Sequence, residues 1–300
     1  MGEKMHLTVI GLGKMGLSLA QQLLDQGKSI SGFDINQTIA QSIQDERFTF
    51  LNELNDLKKI EESKIVLLLL PAGDITHQTI EKLSDILSSQ DVIIDFSNSY
   101  FKNSIQEYHF LASQGIVYHD CGLSGGVSGA RNGACMMLGG AEYAEESILA
   151  LLSDLCVPGG FDAYVGVGSG HYLKMVHNGI EYGMMQAIAE GLALLDGQER
   201  FDYDLEKVTA NWSSGSIIES ALLNHITDEL RLDNILSQFS DKVSASGEAK
   251  WMVKEALDEE VPVPVTALAL MKRNASLASQ PFSNKVISAM RYHFGGHREF

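Results

Sequence analysis

Six short apolar runs, without regular polar alternation, constrain this chain more than any other feature. They cover residues 6–11, 28–34, 65–70, 91–97, 116–122 and 134–140, with helical patterns between them such as Lys14–Gln26, Ile75–Leu87 and Phe101–Gln114. A strand that is apolar on both faces must be covered on both faces, and strand–helix alternation supplies the connections a parallel sheet needs. The pattern stops near Gly166–Gly170. Beyond it one long helical pattern runs from His171 to Gly197. Shorter ones follow at Leu205–Trp212, Ile217–Leu223, Glu248–Leu257, Val265–Ala278 and Asn284–Tyr292. The expected fold is an α/β domain with a doubly wound parallel sheet over residues 1–166, then an all-α domain over residues 167–300. Two domains are also what a chain of 300 residues favours.

Between the first run and the first helix stands Gly11-Leu12-Gly13-Lys14-Met15-Gly16, a GxGxxG. Glycine triplets occur by chance, but this one follows a strand and opens a helix. Asp34 ends the second run 18 residues after Gly16. In a Rossmann-type turn the first glycine permits the bend and the second lets backbone approach a pyrophosphate. The third lets helix pack on strand. The diphosphate then meets free N–H groups at the positive end of the helix. A carboxylate at Asp34 binds ribose hydroxyls and repels a 2′-phosphate, and Ile35, Asn36 and Gln37 supply no arginine. NAD is therefore expected as cofactor, ahead of NADP. The plainer readings are a glycine turn without ligand and an Asp34 that only caps a helix.

Charge narrows the partners. With 22 Lys and Arg against 39 Asp and Glu, the net charge is −17. Such a chain carries no electrostatic footprint for nucleic acid or an anionic membrane, and an anionic ligand would need its few basic residues gathered at the site. Cys121, Cys135 and Cys156 form no CxxC pair and read as reduced thiols. The start has no signal-peptide pattern and the apolar runs are far short of a membrane span, so a cytoplasmic location is expected.

The densest chemistry lies in residues 168–183, GSGHYLKMVHNGIEYG. Lys174, His177, Asn178 and Glu181 stand at i, i+3, i+4 and i+7, which puts them on one face of a helix, with Tyr182 adjacent. A surface face with a Lys–Glu pair is the plainer alternative. Against it, Met175, Val176, Ile180, Met184 and Met185 leave the helix otherwise apolar. A second segment, Gly122-Leu123-Ser124-Gly125-Gly126-Val127-Ser128-Gly129, reads as a loop of exposed backbone suited to a small anion. Asn98 follows the run at 91–97, at the carboxyl end of a strand, where such sheets bind ligands. No HExxH, cysteine cluster or Asp-rich loop is present, and no metal is expected.

GLGKMG, SGGVSGARNG, KMVHNGIEYGMMQ, GEAKW and the closing MRYHFGGH together resemble the decarboxylating 6-phosphogluconate dehydrogenases, of the β-hydroxyacid dehydrogenase superfamily, in their short form. The resemblance spans residues 11 to 297. It implies a Rossmann domain, an all-helical dimerisation domain, and subunits that complete each other's sites. By motif, it makes Lys174 the general base and Glu181 the general acid. His177, Asn178 and Tyr182 become substrate ligands, and Ser124, Gly125 and Gly126 hold the sugar carboxylate end. Asn98 lies between sugar and nicotinamide, while Leu70, Pro71 and Ala72 lie along the cofactor. Arg273 meets the phosphate, and Arg291 and His297 reach into a neighbouring subunit. Ser246 and Glu248 depart from the long forms, which carry lysine and threonine there.

The residues suit that chemistry. Oxidation at C3 needs a neutral amine at Lys174 to take the hydroxyl proton, and burial favours the neutral form. The protonated amine then stabilises the C3 oxygen while the carboxylate leaves, and Glu181 protonates the resulting enediol to give ribulose 5-phosphate. A 3-hydroxyisobutyrate-type dehydrogenase would share fold and lysine but would not need His177, Asn178 and Glu181. A catalytically silent NAD-binding protein is the third reading. The basic tail from Arg291 onward, with Arg291, His293, His297 and Arg298, is expected to close a neighbour's phosphate site in a homodimer or homotetramer.

Overall fold

The computed structural model describes residues 5–279 and 282–295. The chain divides into two compact units between His177 and Asn178. The first alternates strand and helix: β1 (His6–Ile10), α1 (Lys14–Asp25), β2 (Ile30–Phe33), β3 (Phe48–Phe50), β4 (Lys64–Leu68), α2 (Asp74–Ser84), β5 (Val92–Asp95), α3 (Phe101–Ala112), β6 (Val117–Ser124), α4 (Gly126–Asn132), β7 (Ala134–Gly139), α5 (Glu146–Asp154) and β8 (Cys156–Tyr164). The strands form one sheet in the order β3-β2-β1-β4-β5-β6-β7-β8. The order reverses between β1 and β4, which makes their carboxyl ends the binding crevice of a doubly wound sheet.

Alternate residues of each strand serve the two faces. Val9, Leu67 and Ile94 pack under Leu19 and Leu23 of α1 and Ile148 and Leu152 of α5. Their neighbours Ile10, Val66, Leu68 and Ile93 pack on the other face against Ile80 and Leu83 of α2 and Leu111 of α3. Both faces are covered, which explains the unbroken apolar runs.

The structure corrects the sequence reading at three places in this unit. The sheet is not wholly parallel, because β6 pairs antiparallel with β7. Only residues 125–133 join them, fewer than the dozen or so that a crossover between parallel strands requires. The glycine-rich segment Gly122–Gly129 is not a loop: its first three residues, through Ser124, end β6. Gly125 takes a left-handed conformation and α4 begins at Gly126. Two strands carried no apolar run. β3 has three residues, and β8 contains Pro158, Gly159 and Gly160, a composition tolerated because each lies at a sheet edge.

α6 (Ser169–Asp196) follows, and α7 (Leu205–Trp212), α8 (Ala221–Leu232), α9 (Gly247–Asp258), α10 (Pro264–Ser276) and α11 (Phe282–Gly295) complete the chain. In the second unit Tyr182, Ala249, Ala269 and Leu270 form the core, from α6, α9 and α10. α8 starts later than the apolar Ile217 and Ile218 suggested: Ser220 caps it by accepting from the Leu223 N–H at 3.2 Å. The last helix runs on to Gly295, so Arg291 lies within α11 rather than in a tail beyond it. His297 and Arg298 fall outside the described residues. Among the described residues no helix is long and apolar enough to cross a membrane.

Candidate active site

The glycine turn is built by close approach. Gly11 has φ +90°, and a Cβ there would strike the Leu69 carbonyl; one on Gly16 would strike the Gly11 carbonyl. Gly13 differs: it is exposed, and nothing stands within 4 Å of where its Cβ would be. It begins α1 without any side-chain cap, and Lys14 and Met15 form the first turn. Open space over an uncapped helix N-terminus is the cradle that a pyrophosphate fills.

Asp34 turns toward this loop. One carboxylate oxygen accepts from the Leu12 N–H and the other from the Asn36 N–H, each at 2.8 Å. Leu70, Pro71 and Ala72 follow β4 on the same crevice. The Leu70 side chain reaches the space beside Gly11, and the Pro71 carbonyl accepts from the Thr76 hydroxyl at 2.9 Å. Asn98 follows β5 in a left-handed conformation, φ +51°, and its Oδ1 is buried without a hydrogen-bond partner. That oxygen is an acceptor awaiting a donor. An open cradle, a carboxylate at the end of β2 and an orphaned amide oxygen together suit a nicotinamide dinucleotide.

The opening of α6 is seated on β6 and β7. The Asp120 carboxylate is fully buried and accepts from the Gly168 N–H at 2.6 Å and the His171 N–H at 2.7 Å. It thus satisfies first-turn donors and complements the helix dipole. Three glycines make the seat tight. A Cβ on Gly122 would lie 2.6 Å from the Lys174 Cβ. A Cβ on Gly170 would strike the Met137 carbonyl and lie 2.7 Å from that of Asp120, and one on Gly139 would lie 2.8 Å from the Gly170 nitrogen. Lys174 is consequently 7% exposed. One turn on, His177 Nε2 lies 3.0 Å from the Ser124 hydroxyl at the end of β6. Gly125 and Gly126 are exposed beside that serine. Asp120 and this glycine seat escaped the sequence reading; the signal was an acid just before the glycine-rich segment.

In the second unit, Asn178 and Glu181 are half-buried on α6. Tyr182 is buried, and its hydroxyl lies 3.0 Å from the Ser246 hydroxyl and accepts from the Ser246 N–H at 3.0 Å. The Arg273 guanidinium stacks over the Tyr182 ring, 3.5 Å from its centroid. Ser246 therefore serves as a partner of the tyrosine at the start of α9. Glu248, in the first turn of α9, is buried with its Oε2 unpartnered. Arg291 is exposed on α11. Among the described residues no group of three or more His, Cys, Asp or Glu side chains is arranged to hold a metal ion.

Known proteins resemble the chain along its whole length. Residues 6–159 match the family model of the NAD binding domain of 6-phosphogluconate dehydrogenase, and residues 170–285 match the 6-phosphogluconate dehydrogenase C-terminal domain. YqeC of Bacillus subtilis, named provisionally as a 6-phosphogluconate dehydrogenase, is 41% identical, covering 98% of both chains. An NAD(+)-dependent, decarboxylating 6-phosphogluconate dehydrogenase of Haloferax volcanii is 36% identical, again covering 98% of both. Among solved structures, 6-phosphogluconate dehydrogenase of Plasmodium falciparum aligns with a TM-score of 0.79 at 25% identity, over 98% of this chain and 66% of that one. A 3-hydroxyisobutyrate dehydrogenase of Mycobacterium tuberculosis aligns at 0.67 and 20% identity over 95% of this chain and 99% of that one, a likeness of fold alone. Both halves of the chain match one family, its relatives cover it end to end, and it belongs to the 6-phosphogluconate dehydrogenases.

Proposed function

We propose that this protein oxidises and decarboxylates 6-phosphogluconate to ribulose 5-phosphate and carbon dioxide, using NAD. The observation that carries the reading is a buried amine, Lys174, one helical turn from an imidazole that meets Ser124. The bound nicotinamide supplies a hydride acceptor for C3. Lys174 takes the C3 hydroxyl proton; removing an amine from water disfavours its charged form and so favours a base. The same amine, now protonated, stabilises the C3 oxygen as the carboxylate departs. Glu181 delivers a proton to the carbon that carried the carboxylate. Ser124, Gly125 and Gly126 hold the carboxylate end of the substrate, and His177, Asn178 and Tyr182 hold its hydroxyls. Asn98 bridges sugar and nicotinamide. Arg273 and Arg291 bind the phosphate, with His297.

The division of labour follows the sequence: residues 1–166 for the dinucleotide, 167–300 for the substrate and for self-association. Exposed Ile180, Met184 and Leu194 on α6 support a homo-oligomer, since soluble monomers rarely show so much apolar surface. In it, Arg291 and the residues after it serve the neighbouring site. The chain has the character of a cytoplasmic enzyme.

The testing assay measures NADH formation from 6-phosphogluconate, gluconate and 3-hydroxyisobutyrate, with carbon dioxide trapped. Turnover of 6-phosphogluconate with one carbon dioxide per NADH is expected. Turnover of 3-hydroxyisobutyrate alone would overturn the reading in favour of the superfamily rival, and binding without turnover would favour a silent NAD-binding protein.

Asp34 sets the cofactor. Its carboxylate meets the adenine ribose hydroxyls and repels a 2′-phosphate. Asp34→Ala is expected to narrow the preference for NAD, read as the ratio of kcat/KM for NAD and NADP. Equal or better efficiency with NADP in the unmodified enzyme would refute the assignment.

A further inference from the structure

A line of buried polar groups runs from the helix that carries Lys174 to a polar hollow beside α2 and α3, and the proposed reaction has no use for it yet. His171 stands three residues before Lys174, a spacing that makes helical side chains neighbours. It is 1% exposed. Its Nδ1 lies 2.8 Å from the Ser104 hydroxyl, while its Nε2 is buried without a partner. Ser104 hydrogen-bonds to the Tyr118 phenol, and Tyr118 donates to Asp95 Oδ2 at 3.0 Å. Ser104, Tyr118 and Asp95 are all fully buried.

The donor directions follow from the far end. Asp95 accepts from the Ser97 N–H at 2.8 Å and the Ser99 hydroxyl at 3.4 Å as well as from Tyr118, the behaviour of a carboxylate. Tyr118 spends its proton on Asp95, so its oxygen accepts from Ser104. Ser104 spends its proton on Tyr118, so its oxygen accepts from His171 Nδ1–H. The imidazole therefore carries its proton on Nδ1 and a lone pair on Nε2. Every donor in the line points away from α6. Asp95, with Tyr118 and Ser104, walls a polar hollow of about 210 Å³, shared with Ser99, Glu107 and His77. Glu107 lies 2.6 Å from His77 Nδ1, and the His77 side chain is 55% exposed.

We propose that this line is the proton exit of Lys174, with His171 as its first acceptor. The proposal rests on the reading of Lys174 as the base. Each turnover releases no net proton, but it leaves Lys174 carrying the hydroxyl proton and Glu181 short of one. Lys174 must lose its proton before the next substrate. The Lys174 Nζ–H bond breaks and a His171 Nε2–H bond forms, directly or through one water. The Nδ1 proton passes to Ser104, the Ser104 proton to Tyr118, and the Tyr118 proton to Asp95. Nothing is oxidised or reduced. Tyr118 gives and receives together and never becomes a phenolate, which burial makes unfavourable by pushing the phenol well above its usual range. From Asp95 the proton leaves through the hollow past Glu107 and His77; before the next transfer the hydroxyls turn back and the imidazole turns over, so that an N–H again faces Ser104 and a lone pair faces Lys174.

The test separates the first turnover from later ones. In Tyr118→Phe and Ser104→Ala, NADH formation is followed by stopped flow with the full-length enzyme, 6-phosphogluconate and NAD. The first turnover should stay within about twofold of the unmodified enzyme, with steady-state kcat lower by about tenfold or more, KM lower in step and kcat/KM unchanged. The trace then shows a burst of one NADH per site, and kcat gains a larger solvent deuterium isotope effect. A double variant should be no slower than either single one, because one broken link suffices. Unchanged kcat in both variants would overturn the proposal. So would a first turnover that slows in step with kcat, the mark of a network that only holds α6 in place. If Tyr118→Phe does not fold, Ser104→Ala and His171→Gln carry the same readouts. Failure of the underlying reading looks different: Lys174→Met would then turn over normally.

Discussion

Lys174→Met is expected to remove oxidation and decarboxylation together, lowering kcat by about 10³-fold or more while NAD still binds. The thioether keeps the length and packing of the buried stem above Gly122 but has no proton to take or give. General-base catalysis alone accounts for about 10²–10⁴-fold, and the same amine is assigned the stabilisation of the C3 oxygen. Glu181→Gln should separate from it. Hydride transfer and loss of carbon dioxide should persist in part, while protonation of the enediol slows by about 10–10²-fold. NADH formation, trapped carbon dioxide and ribulose 5-phosphate, each measured on both variants, distinguish the two roles. Near-normal turnover by Lys174→Met would remove the mechanism as assigned.

Gly170→Ala should be among the most damaging single methyl additions in the chain's first unit. The added Cβ would meet three backbone atoms, from Met137, Asp120 and Gly139, and none of them can rotate away. Overpacking of this kind costs about 1–3 kcal/mol and more where backbone must move. A cost of about 3 kcal/mol corresponds to a fall in Tm of about 6–12 °C for a unit of this size. Because relief can come only by lifting the start of α6, the Asp120 hydrogen bonds should weaken too. Calorimetry gives the stability change, and kcat measured well below the new Tm gives the displacement of Lys174. A variant with unchanged Tm would mean that the seat is looser than these contacts imply.

The parts of the fold legible in the sequence are those where one signal sufficed. The run at 65–70 marks β4 because a central strand buried on both faces has no polar positions to break the pattern. Leu205–Trp212 is α7 as expected, with Asp204 accepting from the Lys207 N–H at its start. β8 was not legible, since its Pro158-Gly159-Gly160 says turn, and only its place at a sheet edge makes such a strand affordable. The direction of β7 depended on the length of the link before it, which apolar patterning does not report.

Within the site, helical spacing picks out Lys174, His177, Asn178 and Glu181 as one face. It says nothing of the Ser124 hydroxyl that His177 meets 53 positions away in the chain. Asp120 was invisible for a similar reason: a buried acid inside an apolar run reads as an interruption until the helix it caps is seen. Arg291 sits on a helix longer than its pattern suggested, and His297 lies outside the described residues.

Asp34 carries a consequence for anyone redesigning cofactor choice. Because its carboxylate also braces Leu12 in the glycine turn, replacing it discards the proposed ribose ligand and a strut of the proposed phosphate cradle in the same stroke. Affinity for both dinucleotides should then fall, and a gain for the phosphorylated one would be masked by the slackened turn. A successful conversion needs two changes introduced together: a cation placed in the segment after β2, and a small hydrogen-bonding side chain at 34 that still reaches the Leu12 amide.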